Sequence, residues 1–441
     1  MTLVSILTGL ILISIIMILH ELGHYVTARL LGFKIEQFSL FMGPVLYERE
    51  KNGTKFNIKL LPIGASVSFA GEQEVIEGQT GDTKYDPDDP GLFHNRPRWG
   101  RALVVAMGPI VNLLSAFLVF IILFSWTGAV SPELQAPPAD SLAARYEIEA
   151  GDELISINGS RIRTDMDYSM TMMFTQNDDD LILEVKKAND DVKRIVMKPE
   201  VSEIRWMVGI VAVERTDGNF EIIAVDPQSN QGNPVLQEED VVLTIENIPY
   251  AEGDKIRERI AEKAGGVVEV DIIRNGKSMV IETKPTQLEV YRDPGLVLTL
   301  NKNFGSAVSA AAKYPWSIIR ATGRGLSMLF RGEVSVQDSL AGPIGIVSMV
   351  GDVVQQKQPL GIIVQQLLMY LGLLSVAVGA TNLLPIPPFD GNHLVVLAIE
   401  GGMRKDLPMR VKHAISSIGL FVVLALLILV IFVDLSRIFG F

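Results

Sequence analysis

ILISIIMILHELGHYVTARLL, Ile11–Leu31, decides what kind of chain this is, because His20, Glu21 and His24 sit inside a run that otherwise reads as a membrane-spanning helix. Residues four apart share a helix face, so two imidazoles spaced as in HELGH can ligate one metal with the intervening Glu turned to the same site. Zinc, Zn2+, is the expected metal: neutral imidazole is a good ligand for it, and an open position on zinc lowers the pKa of a bound water to about 7. Glu21 is the expected general base. Two histidines merely packed in a bundle are the plainer alternative, but two histidines and a glutamate in one apolar helix are costly, and inside a membrane such residues mark function.

Working outward, the 441 residues are 48% hydrophobic and 20% charged, too apolar for a typical soluble enzyme and too charged for a bare bundle of spans. Apolar runs occupy Leu3–Leu19, Leu103–Val130 and Ile415–Val433, and a fourth, Leu360–Ala380, carries Gln365 and Gln366 and is expected to face protein more than lipid. The first run has no basic leader and no small-residue cleavage site, so it is expected to stay in the mature chain. Lys and Arg concentrate between the first two runs (Arg29 to Arg101) and before the last (Arg404, Lys405, Arg410, Lys412), which reads both loops as cytoplasmic. About 25 Å of helix separates Leu3 from His20, against a hydrocarbon core of about 30 Å, so the metal is expected near the cytoplasmic edge. There is no cysteine, which excludes disulfides and thiolate ligands, and a net charge of −12 with no basic stripe argues against nucleic acid as a partner.

After HELGH, residues 34–71 read as strands around an Asn52-Gly53 hairpin turn. Pro62 and Gly64 mark the second strand as an edge or a re-entrant loop, and Phe56, Ile58, Ser66, Val67 and Ser68 on it are candidates to hold an extended substrate by strand addition. An ordinary cytoplasmic hairpin is the alternative. Glu72 to Arg98, rich in Asp, Gly and Pro, reads as a loop. Gly108, Pro109 and Asn112 lie early in the second span, and a membrane asparagine needs a partner, here the metal site or the substrate. The soluble region from Ser131 to about Leu300 contains a repeat: AGDELISINGSRI from Ala150 matches EEDVVLTIENIPY from Glu238, and Lys198-Pro199 recurs as Lys284-Pro285. The first copy resembles the signature of PDZ domains, which implies binding of a peptide or C-terminal segment in a groove; a passive spacer is the alternative. Ala307 to Arg331 reads as an amphipathic helix, lying on the membrane or packed on the modules. Finally, ATNLLPIPPFDGNHLVVLAIE breaks a helix inside an apolar setting. A carboxylate there needs a positive partner, so Asp390 is assigned as third ligand, with His393 as its competitor.

HELGH, GPIVN, the central PDZ-like pair, AGPIGI and NLLPIPPFDG, in that order, resemble the site-2 protease family of intramembrane metalloproteases, in its bacterial RseP-like branch. The resemblance covers nearly the whole chain; Phe389 and Asn392 depart from its common residues. It implies His20, His24 and Asp390 as zinc ligands, Glu21 as base, and Asn382 near the substrate. It further implies substrates that are single-span membrane proteins of the anti-sigma factor type, already trimmed by another protease, or signal-peptide remnants. The fold expected is a polytopic α-helical membrane protein of the bacterial inner membrane with four transmembrane helices, a cytoplasmic-side re-entrant β hairpin, and two α+β PDZ-like domains, periplasmic, between the second and third spans. The expected segments are 1–33 (first helix), 34–100 (hairpin and linker), 101–130 (second helix), 131–215 and 216–300 (modules), 301–358 (amphipathic helices), 359–400 (third segment) and 401–441 (loop and last helix). A PDZ scaffold with a structural zinc is the main rival. A soluble-type zinc protease would need a further ligand on a soluble helix, and none follows HELGH in a suitable setting; a metal transporter would need polar ligands in the other spans, which offer few.

Overall fold

The structure, a computed structural model, describes residues 3–70, 88–215, 218–226, 235–263, 265–332, 342–356 and 358–439. It divides into two compact units: 1–132 with 161–171 and 298–441, and 133–160 with 172–297.

The first unit holds the long apolar helices. Helix α1, Leu3–Leu30, leads into β1, Ile35–Lys51, and β2, Thr54–Phe69. Asn52 and Gly53 both have positive φ (53° and 75°), the geometry that a tight hairpin turn requires. Both strands bend. Residues 37–40 pair with 55–58 on one side and with 65–68 on the other, while 47–51 pair with 54–58. The lateral order is therefore 47–51, 54–58, 37–40, 65–68, with Ser66–Ser68 on an outer edge. Of the loop expected at Glu72 to Arg98, residues 72–87 lie outside the described residues; Phe93–Asn95 forms one 3-10 turn.

Helix α2, Arg98–Thr127, is the hub, packing against α1 and three later helices. Beyond β3, Ala129–Leu134, the unit continues with helix α6, Phe304–Arg331, α7, Pro343–Gln355, α8, Leu360–Asn382, α9, Asp390–Met403, and α10, Met409–Phe439. Among the described residues, four helices are long and apolar enough to cross a membrane: α1, α2, α8 and α10. Small residues permit their close approach. On α8, Gly372 lies against Phe120, Ser375 donates to the Asn112 carbonyl at 2.9 Å, and Gly379 lies against Pro109. On α1, Gly23 leaves no room for a side chain beside the Met107 carbonyl of α2. The expected third segment at 359–400 is thus two helices joined by a turn. Gly391 fits under the carbonyls of Leu383 and Leu384, and that close approach folds the chain back so that α9 starts at Asp390.

The amphipathic stretch forms α6, whose buried face, Ala307, Ala310, Ala311, Tyr314, Ser317 and Ile318, follows helical spacing. It packs on Phe120 and Phe124 of α2, and Arg320 and Ser317 reach Asp167 at 2.5 and 2.9 Å. Of AGPIGI, Ala341 lies outside the described residues, and Gly342 is the N-cap of α7. Its N–H and that of Gly345 donate to the buried Asp434 carboxylate of α10 at 2.9 and 3.0 Å, satisfying the helix start.

The second unit contains the sequence repeat as two similar substructures. In the first, β4, Glu153–Ile157, pairs with β6, Leu181–Lys186, which pairs with β7, Val192–Met197. In the second, the order is β14-β13-β11-β10-β9, with β9 at Ile210–Glu214, β10 at Phe220–Val225, β11 at Val241–Ile245, β13 at Val268–Arg274, β14 at Lys277–Thr283, and helix α5 at Gly253–Lys263. The matched aspartates do the same work in both. Asp152 is buried, accepts from the Glu149 N–H and pairs with Lys187 at 2.7 Å; Asp240 is buried, accepts from the Gln237 N–H and is held by Arg274 at 2.6 and 2.7 Å. Two strands do not follow the boundaries expected at 215 and 300: β9 lies before 215, and β16 spans 300. Residues 210–214 belong to the second sheet, and β16, Leu298–Asn301, pairs with β3, the strand that opens the first module.

Candidate metal centre

His20 and His24 are one turn apart on α1, and both are buried, 8% and 6% exposed. Asp390, first residue of α9, meets them. Its Oδ2 lies 3.1 Å from His20 Nε2 and 3.5 Å from His24 Nε2, and the two Nε2 atoms are 3.1 Å apart. His24 Nδ1–H donates to the Val104 carbonyl at 2.9 Å, which leaves Nε2 as a bare lone pair. His20 Nδ1 lies 3.3 Å from the amide of Asn112, whose Oδ1 has no partner among the described residues. With the amide turned so that Oδ1 accepts, His20 Nε2 is likewise bare, the usual arrangement behind a metal-bound histidine. Three lone-pair atoms at 3.1–3.5 Å then face one point, and Asp390 Oδ2 is buried without a hydrogen-bond donor among the described residues. Such a set is repulsive unless a cation lies between its members, and tetrahedral zinc at its normal bond lengths separates ligand atoms by about 3.3 Å. The donors fit Zn2+, with one position left for water or substrate.

Glycine makes room for this. Gly108 of α2 faces the two rings, and a Cβ there would collide with His24 Nε2. Glu21 projects beside the ligands, and its Oε2 accepts from the Val67 N–H at 3.0 Å. A cavity of about 450 Å³ opens from the centre, lined by Glu21, Val67, Asn382 and His393 among others.

The structure brings His20, His24 and Asp390 together, with Glu21 beside them in the same cavity. His393 lies one turn beyond Asp390, faces the cavity and stays outside the ligand cluster. Asn382 lines the cavity. Asn112, expected as a substrate-binding candidate, is instead fully buried behind His20, its amide 3.3 Å from His20 Nδ1, and is not among the residues that line the cavity. Of the strand candidates, Ser66, Val67 and Ser68 form the edge next to Glu21, whereas Phe56 and Ile58 belong to the inner 54–58 strand. The Phe56 ring packs on Tyr25 and Phe38 and is not at the site. The bent strands produce that difference, and their alternation pattern does not reveal it. The hydrogen bond from Val67 to Glu21 and the charged end of the cavity had no local sequence signal.

The model of peptidase family M50 matches residues 8–426, and the chain belongs to that family. Similar proteins include one from Ralstonia nicotianae assigned by name as a zinc metalloprotease, 28% identical over 97% of both chains. Another is the regulator of sigma-E protease RseP of Escherichia coli, 26% identical over 96% of this chain and 97% of its own. A Clostridium perfringens protein named in the same way as the first is 23% identical over 98% of both chains.

Proposed function

We propose that this multi-pass zinc metallopeptidase cleaves the transmembrane segments of single-span membrane proteins, as a site-2 type protease. The observation that carries the reading is the position of the ligands: two on an apolar helix long enough to cross a membrane, the third at a helix break between apolar segments. The four long helices are the spans. The loops carrying Arg29 to Arg101 and Arg404 to Lys412 are cytoplasmic, the metal lies near that face, and the repeat region lies on the other side of a bacterial inner membrane.

Zinc supplies Lewis-acid polarisation of the scissile carbonyl and a hydroxide source near neutral pH. The chain's residues do the rest. His20, His24 and Asp390 hold the ion, and Asn112 and the Val104 carbonyl fix the two rings. Glu21, one carboxylate oxygen anchored by Val67, accepts the proton of the attacking water and returns it to the leaving amine. A helical substrate shields its own peptide bonds, so it must unwind, and the Ser66–Ser68 edge offers backbone groups to an extended segment. The two repeat substructures are PDZ-like modules that take peptide or C-terminal ends left by an earlier cut. The name of the Escherichia coli relative points to regulators of sigma factors as the substrate class.

The test is cleavage of a single-span substrate by purified protein in detergent, wild type against Glu21→Gln, with zinc measured in both. Zinc retained and cleavage lost is the expected result. Equal cleavage by both proteins would remove Glu21 as base, and full zinc with no cleavage by either on any substrate would favour a scaffold.

A further inference from the structure

The structure assigns a recognition role to the far end of the cavity: Arg101 binds a substrate carboxylate about three residues from the scissile bond. The assignment rests on the proteolytic reading above and names a specificity determinant for it.

The cavity that begins at the metal ligands extends to Arg101 of α2, Glu400 of α9 and Lys412 of α10. Arg101 is only 9% exposed, and its Nε is buried with no hydrogen-bond partner among the described residues. Neighbouring charges are already matched. Lys412 pairs with the fully buried Glu400 at 2.6 Å, and Arg98 pairs with Asp406 at 2.9 Å. Among the described residues at this end, the three cations Arg98, Arg101 and Lys412 face two carboxylates, Glu400 and Asp406, each already in a close pair with one of the others, so Arg101 is the cation left without a close ion pair. A largely buried guanidinium whose nearest carboxylates are shared with other cations is under-compensated, and a ligand carboxylate at its fork supplies the missing negative charge. Guanidinium is the side chain best matched to a carboxylate, since its fork donates two parallel hydrogen bonds.

Spacing fixes which carboxylate. Gly108 abuts the metal ligands, and Arg101 lies seven residues before it on the same helix, about 10 Å along the axis. An extended peptide advances about 3.3 Å per residue, so a chain leaving the metal toward the Arg98 end of α2 presents its third residue to Arg101. The carboxylate is an Asp or Glu side chain of a continuing substrate; a free terminal carboxylate at the same place has the same chemistry.

The experiment measures kcat/KM of the full-length, zinc-loaded protein in detergent on single-span substrates carrying Asp, Asn or Lys at positions two to four on either side of the cut. A second set ends at those positions as carboxylate or amide. Binding of the same labelled substrates to the Glu21→Gln protein is read in parallel. Wild type is expected to favour Asp over Asn about tenfold at one position, with Arg101→Gln abolishing that preference and Arg101→Glu turning it toward Lys. Cleavage of the Asn substrate by Arg101→Gln should fall less than threefold, and Arg101→Lys, which keeps the charge without the fork, should retain part of the preference. A preference confined to the truncated set would assign the site to chain ends instead of side chains and overturn the side-chain source. If Arg101 only answers the free Oε2 of Glu400, every substrate loses activity equally and no acid preference depends on it; that outcome overturns the assignment. Should no substrate be cut by any variant, the proteolytic reading fails separately, while acid-dependent binding that disappears with Arg101 would still stand, and its absence would sink this proposal as well.

Discussion

A single glycine tests whether the metal centre is built as described. Alanine is a better helix former than glycine by about 1 kcal/mol, so at an indifferent helical position Gly108→Ala would stabilise α2. Here the added Cβ would overlap the His24 ring, which the Val104 carbonyl holds in place. The steric term dominates: Gly108→Ala is expected to lose at least tenfold in zinc affinity, and cleavage with it, measured by metal analysis and chelator competition. A variant that binds zinc normally and melts higher would show that the two helices have room to spare. Asn112→Ala makes a milder prediction. Removing a group that orients a metal-bound histidine typically costs tenfold to a hundredfold in metal affinity, so zinc should be retained at saturating metal and lost to a competing chelator sooner than in wild type. A substrate-binding Asn112 would instead raise KM and leave the metal alone.

At the level of elements, the hairpin edge carries the most specific consequence. Val67→Pro removes one N–H, which both anchors Glu21 and belongs to the Ser66–Ser68 edge. Losing a hydrogen bond to a charged group costs about 1.5–3 kcal/mol, so kcat/KM should fall roughly tenfold to a hundredfold. Zinc content should not change, because the ligands come from α1 and α9. Loss of zinc in this variant would mean that the hairpin supports the whole centre. HELGH and PIPPFDG were legible because helical spacing and a proline-bounded break fix side-chain direction within a few residues. The edge strand was not. Which of 54–58 and 65–68 lies outermost depends on bends that bring residues 37–40 between them, and no local pattern encodes that choice. The repeat was legible for the same local reason as the motifs, since Asp152 and Asp240 satisfy turns three residues away. Strand β16, which pairs with β3 across more than 160 residues of chain, left no such trace. The second module also has a pH signature. Burial works against the Glu246 charge, but Lys263 at 2.6 Å, the Glu269 N–H and Arg259 outweigh it and hold the carboxyl below its ordinary range. A depressed carboxyl stabilises the fold above the unfolded value of about 4.5 and ceases to do so as pH falls through the folded value. Amide protection in β11 and β13 should drop in that acidic window, and Glu246→Gln should flatten the drop.

For the molecule as a whole, the division into two units predicts how it responds to metal removal. Zinc held by His20, His24 and Asp390 would join α1 to the start of α9, and α2 places Asn112, Val104 and Gly108 behind those residues, so three elements of the first unit would share one ion. A ligand that binds only the folded state stabilises it by RT ln(1 + [L]/Kd), about 4 kcal/mol at a thousandfold excess over Kd. The second unit has its own apolar core, including Ile222, Val242, Val270, Ile272 and Ile281, and contains none of the ligands. Chelation is therefore expected to increase hydrogen exchange in α1 near His20 and in the 383–392 turn while leaving β11, β13 and β14 unchanged. The Glu21→Gln protein, which keeps all three ligands, should respond to chelator as wild type does even though it cuts nothing. His24→Ala should resemble chelated wild type from the start and gain no protection from added zinc. Exchange that rises equally in both units would mean that the ion stabilises the chain as one cooperative block, and exchange that rises in neither would mean that His20, His24 and Asp390 are held together without it.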